Sequence, residues 1–308
     1  MSDNTALLAR SITQAGSTQS YLTARLLADR DLIDDCLRAY AYFRWVDDVV
    51  DGPCTLAAEG IALVQRQREL IDRLYMGQSL DGLCPEEAII ADLIRNDRGE
   101  QSGLQSFVRN FLAIIEFDAH RRGRLISGDE LAWYSNCLGK AVTDAIQYFI
   151  GNGHPYPVTE NRYLAATAAH ITHMLRDTVS DVKDGYYNIP REYLEKHNIR
   201  PQHINSAPYR AWVRRRVCLA RRYICAGKRY LDELDVLRCK IAGYWYCARF
   251  ETVLDAIERD TYSIRSQYGA RRSSTNVLRM AYLALSISVR HAAGLPSANT
   301  ILHPPLSR

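Results

Sequence analysis

The chain has 308 residues, of which 47% are hydrophobic and 24% charged, with a formal net charge of +4. A chain this long buries a large core without disulfides or a structural metal, and so mild a charge gives no argument for a nucleic-acid partner. The opening MSDNTALLARSITQ lacks a signal peptide's apolar core, no run approaches the roughly 18 apolar residues of a membrane span, and eight cysteines show no zinc or disulfide spacing, so a cytoplasmic protein with reduced core thiols is expected.

Apolar residues recur mostly at i, i+3, i+4 and i+7, and alternating strand-like runs are few, which predicts an all-α fold. Gly, Pro and Asn mark joints at 97–103, 151–157, 184–190 and 196–208, ahead of a Pro-rich tail, with helices of roughly 15 to 30 residues between them. The expectation is one helical domain over residues 1–293, its helices around a central active-site cavity, with a tail over 294–308.

In chain order, the first informative helix is AYAYFRWVDDVVD, residues 39–51. Asp47 and Asp51 at i and i+4 share one face, where like charges oppose the helix unless a cation or a basic group lies between or opposite them. Asp48 lies about 100° around from Asp47. Arg44 is one turn back, and taken alone an Arg44–Asp48 surface pair explains the pattern. HMLRDTVSD, residues 173–181, repeats the arrangement with Arg176, Asp177 and Asp181, preceded by His173. Two such helices facing each other would form a cage of hard carboxylate oxygens suited to Mg²⁺, with Mn²⁺ the alternative. Mg²⁺ held this way usually holds phosphates too. With the two arginines beside the acids, a diphosphate is implied, and the apolar surroundings imply a hydrocarbon attached to it.

The same stretches resemble the squalene/phytoene synthase family. YAYFRWVDDVVD (40–51) and LRDTVSDVKDGYYNIPREYL (175–194) are similar to its two aspartate-rich motifs, GSTQSYLTARLL (16–27) to its N-terminal segment, EFDAHRRGRLISGDELAWYSNCLGKAV (116–142) to its central stretch and ARFETVLDAIERDTY (248–262) to its last helix. That resemblance implies the α-helical isoprenoid synthase fold. It implies that Asp47, Asp51, Asp177 and Asp181, with Asp48 beside them, bind the metal–diphosphate cluster, and that Arg44 and Arg176 hold diphosphate oxygens. Ser20, Tyr21 and Tyr40 would lie at the diphosphate end of the pocket, Tyr134 by the reacting carbons, and Arg271 and Arg272 over the phosphates. The implied chemistry is ionisation of an allylic isoprenyl diphosphate and head-to-head condensation with a second one. NADPH use stays open, since no Rossmann fingerprint is visible and the family's squalene synthases use none.

Departures from the family pattern bear on what surrounds the cation. YSNCLGKAVTD puts Lys140 and Thr143 where glycines are usual, so Lys140 either pairs with Asp144 on the surface or points into the cavity. His173 stands for an asparagine and Phe250 for a tyrosine. These swaps keep open a second reading, prenyl transfer to an aromatic acceptor. A third reading, a non-catalytic assembly protein, predicts eroded acids, and both DxxxD pairs are intact. A basic arc from Arg214 to Arg229, holding Arg221, Arg222 and Lys228, reads as a solvated face or as a peripheral contact with anionic lipid. YWYCARF (244–250) reads as core or as an aromatic cavity wall.

Overall fold

The computed structural model describes residues 2–50, 52, 57–97, 99–268 and 274–295. Asp51, Cys54, Arg271, Arg272 and the tail from residue 296 onward lie outside the described residues. The described residues form α-helices and no strand, as the periodicity predicts. They divide into two compact units, residues 1–153 with 184–186, and residues 154–183 with 187–308.

The first unit contains α1 (Ser2–Gly16), α2 (Thr18–Leu27), a 3₁₀ turn at Arg30–Leu32, α3 (Ile33–Val50), α4 (Ala57–Tyr75), α5 (Pro85–Asn96), α6 (Gly103–Arg121) and α7 (Gly128–Phe149). Its centre is α3, which packs against α1, α2, α4, α5 and α6. Leu37, Ala41, Tyr42, Phe43 and Val46 of α3 are fully buried, and the Phe43 ring meets Phe107 and Phe111 of α6 at 5.1 and 4.8 Å. A buried polar chain fixes the register of α3 against α4 and α5. The Tyr42 hydroxyl donates to Gln67 at 2.8 Å, Gln67 donates to Glu87 at 2.9 Å, and Arg66 grips Glu87 through two bonds of 2.7 and 2.8 Å. Arg66 pulls the Glu87 carboxyl down to about 2, so the acid stays ionised and every polar group in the chain is paired. Ser17, Ser102 and Ser127 cap α2, α6 and α7 by accepting from backbone N–H groups of the first turn, which fixes where each helix starts.

The second unit contains most of α8 (Leu164–Asp184), then α9 (Arg191–Lys196), α10 (Ala207–Asp232), α11 (Leu237–Arg259) and α12 (Ser274–Ala292). α10 packs on α11, and α11 on α12. The start of α8 comes so near α10 that a Cβ on Gly227 would lie 2.6 Å from the Ala165 Cβ and backbone N. Only glycine permits that approach.

The basic arc on α10 is not wholly solvated. Its Lys228 edge turns toward α11, where Lys228 is buried and donates to Glu251 at 2.7 Å, while Arg221 pairs with Glu258 and Asp255. Arg214, Arg215, Arg222 and Arg229 remain exposed. Core packing accounts for much of YWYCARF: Tyr244, Cys247 and Phe250 are buried, and the Tyr244 hydroxyl donates to Asp232 at 2.8 Å. Among the described cysteines, all free thiols, Cys137, Cys239 and Cys247 are buried whereas Cys225 is exposed. Burial pushes Cys36 and Cys247 up to about 12, which makes them inert as nucleophiles.

Candidate functional site

On α3 the buried residues Tyr42, Phe43, Val46 and Val50 leave a single polar edge. Arg44 and Asp48 are exposed there and Asp47 is half-buried. Arg44 donates to Asp48 through Nε at 2.8 Å and through a second guanidinium N–H, the pair that the i, i+4 spacing predicts. That bond is the main cause of a raised Arg44 pKa. Asp47 and Asp48 are therefore tolerated because they sit on an edge beside an arginine, clear of the aromatic core.

The N-terminal segment reaches the same edge. Ser20 donates to the Ser17 hydroxyl through its own hydroxyl at 2.9 Å and its N–H at 3.1 Å, and Ser17 is bonded in turn to the Tyr40 side chain. A Cβ on Gly16 would lie 3.1 Å from the Tyr40 hydroxyl and 3.5 Å from the Arg44 Cγ. Ser20, Tyr40, Arg44 and Asp48 are thus brought together, with Ser17 as a member that sequence reading missed. Burial raises the Tyr40 phenol above its ordinary value, partly offset by Arg44. Tyr21 instead packs against the hydrophobic core.

Tyr134 belongs to a different cluster of the first unit. Its hydroxyl donates to Asp118 at 2.7 Å, Arg121 donates to Asp118 at 2.6 Å, and the buried Arg121 guanidinium lies over the rings of Tyr134 and Tyr186 at 4.8 and 5.1 Å. Burial pushes the Tyr134 phenol well above its ordinary range, so it stays protonated. The loop after α8 docks here: Gly123 donates to the Gly185 carbonyl at 2.8 Å and Arg122 to that of Asp184 at 3.2 Å. Gly185 has φ +89°, and a Cβ there would meet the Gly123 N at 3.1 Å, so the DG of the motif is a backbone requirement. Asp118 and Arg121, an i, i+3 pair on α6, went unread because the rings they meet, Tyr134 and Tyr186, come from later parts of the chain. Lys140 on α7 is exposed, and Asp144 is buried with Ser106 donating to it at 2.6 Å.

In the second unit, Ile171, Met174, Leu175 and Thr178 bury one face of α8, leaving Arg176, Asp177 and Asp181 on the other. Arg176 holds its neighbour Asp177 by two bonds of 2.7 and 2.6 Å. Asn188, in the loop after α8, donates to Asp181 at 2.8 Å. That asparagine was legible only as loop punctuation. One turn before Asp177, His173 sets its ring edge on Phe250 at 4.7 Å, and Phe250 touches Tyr246 at 4.9 Å. Burial, helped by Arg176, pushes His173 down to about 3. Its Nε2 is buried without a hydrogen-bond partner, so the imidazole is neutral and has an acceptor or donor position to spare.

A cleft of about 660 Å³ lined by Tyr75, Ile94, Asp97, Gln101 and Gln105 shares no residue with either acid face. Among the described residues no three acids, histidines or cysteines converge as a closed metal cage. The donor set fits a different kind of site: oxygen-only, accessible carboxylates suit a hard cation that keeps several waters and shares phosphate oxygens. Mg²⁺ meets that description.

A sequence profile of the squalene/phytoene synthase family matches residues 13–277. No curated protein sequence matches the chain. Among solved structures it resembles squalene synthase HpnC from Alicyclobacillus acidocaldarius, with a TM-score of 0.65 at 18% identity over 85% of this chain and 95% of that one. A dehydrosqualene synthase in complex with a ligand gives a TM-score of 0.70 at 13% identity, over 95% and 98% of the two chains. TcSQS with the ligand BPH1237 gives 0.68 at 15% identity, over 93% and 89%. At these identities the likeness is one of fold, the all-α isoprenoid synthase fold.

Proposed function

Since the chain belongs to the squalene/phytoene synthase family, we propose that it is a prenyltransferase that ionises an allylic isoprenyl diphosphate and joins two of them head to head, releasing both diphosphates and giving a phytoene- or dehydrosqualene-type product by loss of a proton, or a squalene-type product where NADPH supplies a hydride. The observation that carries this reading is the doubled motif. Each of two helices, α3 and α8, presents an arginine bonded to an acid on an accessible face that also holds another acid of a DxxxD pair.

In this reading Asp47, Asp51, Asp177 and Asp181, with Asp48 beside them, hold the metal. Mg²⁺, when bound, neutralises the diphosphate and takes up the charge of the departing oxygen. Arg44 and Arg176 exchange Asp48 and Asp177 for diphosphate oxygens. Arg44 surrenders an accessible ion pair, a loss of about 0–1 kcal/mol, and Arg176 a half-buried one, each for a charge-assisted bond to a leaving group whose charge grows in the transition state. Ser20 and Tyr40 line the diphosphate end, and the resemblance adds Arg271 and Arg272, outside the described residues, as further phosphate partners. Tyr134, set by the resemblance near the reacting carbons, is kept protonated, so it presents no phenolate that would trap the allylic cation. His173, neutral beside Phe250, orients an acid or accepts the proton that ends the reaction.

A second reading keeps the ionisation and transfers the prenyl group to an aromatic acceptor. It rests on Lys140, exposed on α7 at a position where the family usually has glycine and a second prenyl tail would lie. One experiment separates the two. The purified chain is incubated with Mg²⁺ and, separately, C5, C10, C15 and C20 allylic diphosphates, and products are extracted for mass spectrometry. A C30 or C40 hydrocarbon is the expected product; pyrophosphate released without such a hydrocarbon would replace head-to-head condensation with the aromatic-acceptor reading.

A further inference from the structure

α12 buries one side and leaves the opposite side bare. Ile287 is buried, and the Trp245 indole of α11 donates to the Met280 carbonyl at 3.0 Å, which fixes that side against α11. On the other side Leu278, Tyr282, Leu285 and Val289 recur at i, i+4, i+7 and i+11, a single stripe along the helix. They are 69%, 73%, 65% and 61% exposed, and Leu295 just beyond the helix is 55% exposed. Single exposed apolar residues are ordinary; four on one stripe mark a surface that something covers.

Charge identifies what covers it. Beyond Asp260, which pairs with Arg265, the chain has no acidic residue, while Arg271, Arg272, Arg279, Arg290 and Arg308 are all positive. Arg279 and Arg290 fall to one side of the stripe, about a quarter to a third of a turn around α12 from it. We propose that α12 is an interfacial helix that lies on an anionic bilayer, its stripe in the acyl boundary and its arginines at lipid phosphates. A second copy fits less well, because pairing two such stripes would bring acid-free, arginine-flanked faces together. No helix among the described residues is long and apolar enough to cross a membrane, so the contact is with the surface. This inference stands on α12 and the charge of the C-terminal segment, apart from the catalytic reading.

The test is co-sedimentation of the full chain with vesicles of phosphatidylcholine alone and of phosphatidylcholine mixed with phosphatidylglycerol, at low and high salt. Binding to the mixed vesicles, weakened by salt, is expected. The double variant Tyr282→Ser/Leu285→Ser should lose on the order of tenfold or more in partitioning, with its circular dichroism unchanged. Leu278→Ser, read alongside, should weaken binding in the same direction. Failure of the wild type to bind the mixed vesicles, or equal binding by the variants, would overturn the proposal. So would a wild-type dimer that the double variant converts to monomer on size exclusion, since a second copy would then be the occupant.

Discussion

His173 sits one helical turn before Asp177 with its ring against Phe250, and burial with the nearby Arg176 charge holds its pKa near 3 rather than the ordinary 6.5. The unfolded chain therefore takes up a proton near pH 6.5 that the folded chain refuses until about pH 3. The associated stability is fully present above pH 6.5 and is lost as pH falls toward 3, reaching a loss of about 2 kcal/mol at pH 5. His173→Asn should remove this dependence: between pH 7 and pH 5 the wild type should lose more melting temperature than the variant, and parallel declines would contradict the burial account. Legibility at this scale followed spacing. Arg44 and Asp48 were readable because i and i+4 are helical neighbours, whereas Arg176 reaching sideways to Asp177, or Asn188 folding back onto Asp181, follows no period. Asp118 and Arg121 are themselves i, i+3 neighbours on α6, and what was hidden is their link to Tyr134, since it needs α6 and α7 already packed.

Helices were legible from periodicity, and the joints rich in Gly, Pro and Asn fall where α5, α7, α8 and α9 end. The joint at 122–127 was missed because a lone glycine carries it: Gly123 turns the chain with φ +77° and has no proline near it. Interhelical distances are invisible in sequence, and Gly227 shows why that matters. Helix propensity says that glycine in the interior of α10 should gain about 1 kcal/mol on replacement by alanine. The structure reverses the sign, because the new Cβ would fall 2.6 Å from backbone and side-chain atoms of Ala165. Gly227→Ala should destabilise the chain by about 1–3 kcal/mol or more, read as a lower urea midpoint. A higher midpoint would show that α8 and α10 are not held this close.

At the scale of the molecule, the all-α class was legible from the scarcity of alternating runs, while the division into two units was not, since no break in composition marks it. Each unit carries one arginine–acid helix, α3 in the first and the Asp177–Asp181 face of α8 in the second. Neither motif alone would ionise a diphosphate in the proposed reaction, so each should be indispensable while neither supports the fold: Asp47 and Asp177 both lie on accessible faces. The most direct measurement is the rate of pyrophosphate release from an allylic diphosphate with Mg²⁺, for the wild type and for Asp47→Asn and Asp177→Asn. The account predicts release by the wild type and a loss on the order of a hundredfold or more in each variant, with circular dichroism unchanged. A full rate in either variant would contradict the assignment of the two acid helices to one diphosphate.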